Sequence, residues 1–377
     1  MRNLRRTLTS FLALSLIALP ALAATVSGAF TPVFTNGNDG YKCFRIPAIV
    51  ATPAGALLAF AEGRRNGCND FGNIQIVMRI SRNQGKTWGP LEIIARNSDL
   101  QTGNPVPVVD TMDNRYPKGR VLLVYNTGNA SETAVREGKG TRRVWYVAST
   151  DDGETWSAPV EITSSVKLPT WRSYATGPGH GLLLHNGFHA GRIVIAANHS
   201  EAGAHSASET MAHAFFSDDH GSTWHLGDTL DVPGSNESTA AEADDGAVVM
   251  NSRDQSGSSH ARIIASSNSG AEHWDRHFIA YDLPDPICQG SMLRYAPKKG
   301  KPALLFSNAG STTDRVNLTI SVSRDGGLTW PRHTLIYTGP SAYSDIVLMR
   351  HGKVGILWEH GSDSGIGFTT RKIKSLF

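Results

Sequence analysis

Three arginines stand where apolar, strand-like runs of this sequence begin or end. Arg45 lies inside Phe44-Arg45-Ile46-Pro47-Ala48-Ile49-Val50, Arg253 closes Val248-Val-Met-Asn-Ser-Arg253, and Arg315 opens Asp314-Arg315-Val-Asn-Leu-Thr-Ile320. A buried guanidinium needs a carboxylate partner, because an unpaired buried charge costs several kcal/mol. Taken singly, each arginine reads equally well as half of a structural ion pair. Taken together, the three could hold one small anion, since guanidinium forks match a carboxylate. Acidic and phenolic groups fall in similar places. Asp70 lies in the loop Cys68-Asn-Asp-Phe-Gly-Asn, and Tyr343 in Ser341-Ala-Tyr-Ser-Asp345. Glu237 lies in Pro233-Gly-Ser-Asn-Glu-Ser-Thr, with Glu242 five residues on, and Glu359 ends an apolar run at 354–358. Each alone reads as a solvated loop residue. As a set they offer a proton donor, a base and a hydroxyl nucleophile.

A repeat shows what must position them. Ser149-Thr-Asp-Asp-Gly-Glu-Thr-Trp156 recurs as Ser217-Asp-Asp-His-Gly-Ser-Thr-Trp224 and Ser323-Arg-Asp-Gly-Gly-Leu-Thr-Trp330. Ser81-Arg-Asn-Gln-Gly-Lys-Thr-Trp88 carries Asn83 at the Asp position. Ser266-Ser-Asn-Ser-Gly-Ala-Glu-His-Trp274 reads as a degenerate copy with one extra residue. Strand-like runs at 74–80, 144–148, 212–216, 261–265 and 318–322 precede the copies. The pattern predicts β-hairpins: Ser and Asp side chains bond turn N–H groups, Gly supplies a positive φ, and Trp packs the hairpin. A spacing of this size fits one four-stranded blade per repeat. The expected fold is all-β, a six-bladed β-propeller with at least one blade lacking the turn. The repeats are then structural and lie away from the central pocket, and in such a fold the innermost strand of each blade lines that pocket.

The bulk numbers narrow the class. The chain has 377 residues, 40% hydrophobic and 18% charged, with a net charge of +3. That is a globular composition without a basic run, which leaves no case for nucleic acid. Residues 1–24 differ: Arg2, Arg5 and Arg6 precede an apolar stretch at 11–19 and the small-residue end Ala21-Leu22-Ala23. This predicts an export leader, too short to span a bilayer, followed by one catalytic domain at 25–377 in the periplasm or outside the cell.

The set of residues resembles the bacterial sialidase family over essentially all of the chain after the leader. Phe44-Arg45-Ile46-Pro47 is similar to that family's FRIP motif, and the repeats are similar to its Asp boxes. The resemblance implies an exo-α-sialidase that binds the C1 carboxylate of sialic acid with Arg45, Arg253 and Arg315. It makes Glu359 the residue that orients Arg45, Asp70 the acid/base, Tyr343 the nucleophile and Glu237 its base. Asn236-Glu237 followed sixteen residues later by the Arg of Asn251-Ser-Arg253 favours Glu237 over Glu242. Net retention through a covalent tyrosyl intermediate follows, on terminal sialic acids of glycans, with no metal or organic cofactor. A neutral tyrosine suits an anomeric carbon whose own carboxylate repels an anionic nucleophile. Arg64 with Glu62, Asn104 and Gln289 are expected near the substrate, and the loops 102–105, 177–181 and 285–290 could line its side pockets. Cys43 and Cys68 flank these residues and form the expected disulfide, although three buried thiols fit equally, Cys288 being the third. Three rivals remain open: sialic acid transfer with Trp145 or Trp171 as an acceptor platform, a preference for deaminated sialic acid, and a sugar-binding propeller without catalysis.

Overall fold

The computed structural model describes residues 29–204, 206–361 and 364–377; the expected leader at 1–24 lies outside them. Among the described residues, twenty-five strands account for nearly all regular structure, and the helices Glu132–Arg136 and Thr163–Val166 are single turns. The strands are rich in Val, Ile, Leu and Ala, which suits sheets buried on both faces.

The strands form five sheets in a propeller-like arrangement of antiparallel meanders. Four of them hold four or five strands. The fifth holds eight, joined across its middle by one parallel contact of Ile74 with Gln101. Six separate four-stranded sheets are therefore not found as such, because this bridge fuses residues 43–95 with residues 101–161. The last sheet takes its outer strand from the start of the described chain, where Thr31–Thr35 pairs with Gly365–Lys372. Cys43–Ala51 touches both Gln101–Asp110 and Ser344–Met349, so the first and last meanders meet.

Apolar side chains hold successive meanders together. Val347, Leu357 and Phe368 pack on Phe44, Ile49 and Val77; Phe60 and Met78 pack on Leu123 and Val147. Val124 and Val144 meet Ile195 and Phe215, and the same pattern continues to the closing contact of Leu305 and Ile320 with Ile356 and Trp358. The hydrophobic core is thus a set of layers between meanders, not a single central mass.

The repeated turn follows the third strand of five meanders. In the regular copy the Ser149 hydroxyl accepts from Gly153 N at 2.9 Å, and Asp151 accepts from Thr155 N at 2.9 Å. Gly153 adopts φ +89°, and Trp156 packs edge-on against Phe60 of the preceding meander, with ring centroids 5.9 Å apart. The fourth copy corrects the sequence reading. It has no extra residue: Ser267 takes the first serine's place and accepts from Ala271 N at 2.9 Å, while Ser269 accepts from His273 N at 3.0 Å. Ser269 stands for Asp, His273 for Thr, and Ala271 for Gly at φ +75°. The hydrogen bonds keep the register although three of the four marker residues differ.

Candidate active site

Strand direction alternates within each meander, so the starts of first and third strands share one end of the molecule with the ends of second strands. The repeated turns close third strands and occupy the opposite end. Arg45, Asn104 and Glu237 lie early in the first strands Cys43–Ala51, Gln101–Asp110 and Ser235–Glu242, and Tyr343 immediately precedes Ser344–Met349. Arg64 and Glu359 end the second strands Leu57–Arg64 and Lys353–Glu359, and Arg253 is next to last in Val248–Asp254. Asp70 and Arg315 stand in the connections leading into third strands. Of the three arginines, only Arg45 is therefore on an innermost strand. Arg253 and Arg315 reach the same cleft from strand ends, because an arginine side chain is long enough to cross that distance.

Bulges aim the inner residues. The pairing register shifts between Arg45 and Ala48, between Gly103 and Val106, and between Ser235 and Ser238. Each extra residue turns its strand locally and redirects a side chain. Ile46 sits at φ +60°, an outlying conformation for a β-branched residue, and its N–H is held by Glu359 Oε1 at 2.9 Å. Strain of that kind persists only where neighbours over-determine it.

Tyr343 is the centre of the cleft. Its hydroxyl donates to Glu237 Oε1 at 2.6 Å. Arg253 Nη1 donates to Glu237 Oε2 at 2.7 Å and to the Tyr343 oxygen at 3.1 Å. The guanidinium carbons of Arg45 and Arg315 lie 4.9 and 5.6 Å from the Tyr343 ring centre. Burial, then the Glu237 charge, raises the Tyr343 phenol above its ordinary value, against the lowering pull of Arg253 and Arg45. The hydroxyl is therefore neutral, and a phenol in that state would act as a nucleophile only with a base to take its proton.

The arginines differ in what compensates them. Arg45 donates to both oxygens of Glu359, at 3.2 and 3.3 Å, and that carboxylate holds it well above the usual arginine range. Glu359 also accepts from Tyr343 N at 3.4 Å, so one carboxylate fixes the arginine and the tyrosine backbone. Arg315 donates to Ile287 O at 2.8 Å, and among the described residues no carboxylate pairs with it. Its charge is left for a ligand.

Asp70 stands across the cleft on the irregular segment 65–73. Arg64 Nη1 donates to its Oδ1 at 2.8 Å and Arg45 Nη1 reaches the same oxygen at 3.5 Å. Arg64 is itself fixed by Glu62 Oε2 at 2.7 and 3.0 Å, and Glu62 Oε1 accepts from Asn104 N at 2.9 Å. The cleft measures about 320 Å³ and takes walls from Arg45, Arg64, Asp70, Asn104, Glu237, Arg253, Arg315 and Tyr343. That volume suits a monosaccharide-sized ligand.

The profile of the BNR repeat-like domain family matches residues 55–356. A sialidase of Micromonospora viridifaciens is 33% identical over 93% of this chain and 58% of its own length. An exo-alpha-sialidase of Aspergillus fumigatus is 31% identical over 84% of this chain and 79% of its own. The chain belongs to the sialidase family. A Hadza microbial sialidase, Hz136, superposes with a TM-score of 0.79 at 29% identity, over 90% of this chain and 68% of that one. The chain spans 58% and 64% of the lengths of the Micromonospora and Bacteroides fragilis sialidases that it matches.

In the cleft of this sialidase-family chain, one expected residue, Gln289, and the disfavoured alternative, Glu242, stand apart. Gln289 is 1% exposed and lies beneath the floor, where its amide accepts from Ser344 N at 3.0 Å and donates to Pro178 O at 3.3 Å. It supports the strand after Tyr343 and does not line the cleft. Glu242 accepts from His185 N and Asn186 N at 3.0 and 2.7 Å, away from Tyr343. The loops 177–181 and 285–290 do not line the cleft either; His180 bonds Asp345 at 2.7 Å and Asp285 pairs with Arg262 at 2.6 Å. Neither tryptophan considered as an acceptor platform lines the cleft: Trp171 is 2% exposed and stacks on His199, and Trp145 donates to Thr127. The far wall was missed from sequence. Gln101, Asn126, Arg136, Arg142, Ser173, Tyr174 and Asn198 form it, and no local pattern marks them. Among the described residues, no helix is long and apolar enough to cross a membrane.

Proposed function

We propose that this chain is a retaining exo-α-sialidase that removes terminal sialic acid from glycoproteins, glycolipids or free glycans. One observation carries the reading: in a cleft of a sialidase-family chain, a buried neutral phenol donates at 2.6 Å to a carboxylate beneath three arginines. Arg45, Arg253 and Arg315 bind the substrate's C1 carboxylate and set the ring's position. Asp70 protonates the leaving oxygen while Glu237 takes the Tyr343 proton and the phenolate oxygen bonds to the anomeric carbon. Asp70 then takes a proton from water as the water oxygen bonds to the anomeric carbon; the bond to Tyr343 breaks, Glu237 returns its proton to the phenolate, and sialic acid leaves with retained configuration.

In this reading the meanders count as a six-bladed propeller whose third-strand turns are Asp-box hairpins. Residues 43–95 and 101–161 are separate blades despite the bridge at Ile74. Residues 1–24 are an export leader, residues 25–377 the catalytic domain, and the protein works in the periplasm or outside the cell. The Cys43–Cys68 disulfide supports an oxidising compartment.

The test is fluorescence release from the 4-methylumbelliferyl glycoside of N-acetylneuraminic acid, with the wild type run beside Tyr343→Phe. Release by the wild type and a loss of about 10³-fold in the variant is expected, the scale of removing an activated nucleophile. Near-normal turnover by a folded Tyr343→Phe protein would sink the assignment.

A further inference from the structure

The Cys43–Cys68 disulfide ties the exposed connection that carries Asp70 to the strand that carries Arg45. Cys43 opens the strand that carries Arg45 two residues later, and Cys68 precedes Asp70 by two. Cys43 is 1% exposed and anchored by pairing with Arg64. Cys68, Asn69 and Asp70 are exposed, and the Asp70 side chain is 79% exposed. The other restraints on this segment fall mostly at its ends, where Asn73 Nδ2 donates to Asp99 Oδ1 at 2.7 Å and Arg65 lies over the Tyr41 ring. Arg65 N donates to Asn73 O at its base, and Arg64 reaches both Cys68 O and Asp70 Oδ1. A Cβ at Gly67 or Gly72 would meet nothing within 4 Å, so the loop is not packed on a neighbour. One covalent crosslink and two ion pairs, close to Arg64 at 2.8 Å and longer to Arg45 at 3.5 Å, set where the Asp70 carboxyl stands.

We propose that the disulfide is a positioning element for proton donation: it holds Asp70 at a fixed place relative to Arg45, and so to the glycosidic oxygen of a substrate clamped there. This rests on the reading of Asp70 as the acid. A general acid contributes about 10²–10⁴-fold, and a displacement near 1 Å can forfeit about 10² of it. The effect depends on the leaving group. An aryl alcohol departs without much help from a proton, whereas the hydroxyl of another sugar needs one.

The experiment compares the Cys43→Ser/Cys68→Ser protein, Asp70→Ala and the wild type on an aryl sialoside and on sialyllactose. The double serine variant is expected to lose about 100-fold in kcat/KM on sialyllactose and under about threefold in kcat/KM on the aryl substrate, since kcat/KM reads the step in which the leaving group departs and not the later attack of water. Asp70→Ala is expected to show the same split. Equal losses on both substrates in the serine variant, or none on either, would overturn the positioning role. If Asp70→Ala itself shows no split, the reading of Asp70 as acid fails, and the positioning role with it. Should the serine variant not fold, native enzyme reduced by a phosphine replaces it, since Cys68 is exposed. Water supplies the oxygen as the phosphine becomes its oxide and the two hydrogens as the disulfide becomes two thiols. The same split must then develop on reduction and vanish on reoxidation; a loss shared equally by the two substrates, or no loss, overturns the proposal.

Discussion

The two sides of the cleft are built in opposite ways. On one side Tyr343, Glu237 and Arg253 are set on strand starts and ends, and Tyr343 is only 5% exposed. On the other, Asp70 hangs on an exposed segment secured by Arg64 and a disulfide. A nucleophile that must stay neutral until attack profits from desolvation and a fixed base. An acid/base group must meet a leaving oxygen first and a water afterwards, so it stands at the solvent boundary. The buried side should therefore behave as core when changed, and the exposed side as surface.

The largest expected contrast is in turnover. Tyr343→Phe removes the group that bonds to the substrate and should cost about 10³-fold on every substrate, whereas the loss at Asp70→Asn should grow as the leaving group worsens. A uniform loss at both positions would erase the distinction.

Acid should weaken the buried wall next. His199 and His213 bond each other at 3.0 Å behind Tyr174, and burial lowers both, His199 to about 3. Their folded values lie below the unfolded value near 6.5, so this stability is present above pH 6.5 and is lost as pH falls toward the folded values. At pH 5 His199 alone should have removed roughly 2 kcal/mol, and His213 acts in the same direction. Denaturant midpoints at pH 7, 6 and 5 measure this, and a flat series would contradict it.

Stability separates the two carboxylates as well. Glu359→Ala strands Arg45 and the N–H groups of Ile46 and Tyr343, and should cost about 3 kcal/mol. Asp70→Asn should change stability by under about 0.5 kcal/mol, because its side chain is mostly in solvent. Equal midpoints for the two variants would break the comparison. The smallest effect lies at the far end: Gly153→Ala, at φ +89° with its Cβ 3.0 Å from Leu58, should cost about 1–2 kcal/mol and leave kcat unchanged.

Much of this was legible in the chain. The arginines interrupt or bound apolar runs, and although each of them, like Asp70, Glu237 and Tyr343, has a bland reading alone, the set resembled one family's site. The repeated turn announced the hairpins because its Ser, Asp and Gly each satisfy a local backbone requirement. The fourth copy was misread for the same reason. With Ser269, Ala271 and His273 in the marker positions, the residues no longer identify their slots, and only the hydrogen bonds fix the register.

By itself the sequence determined the repeated meanders, the turn chemistry and the set of reacting groups, since those depend on near neighbours and on residue type. Tertiary structure decided the rest. It set Glu237, the one of the two that the sequence pattern favoured, against Tyr343 beside a bulge, and left Glu242 on the same strand bonded to backbone at His185. It put Gln289 under the floor, joined two meanders through Ile74 and Gln101, and paired Cys43 with Cys68 across 25 residues. It also assembled the far wall of the cleft from scattered polar residues. Those outcomes depend on distances between segments far apart in the chain, which local patterns of residues do not encode.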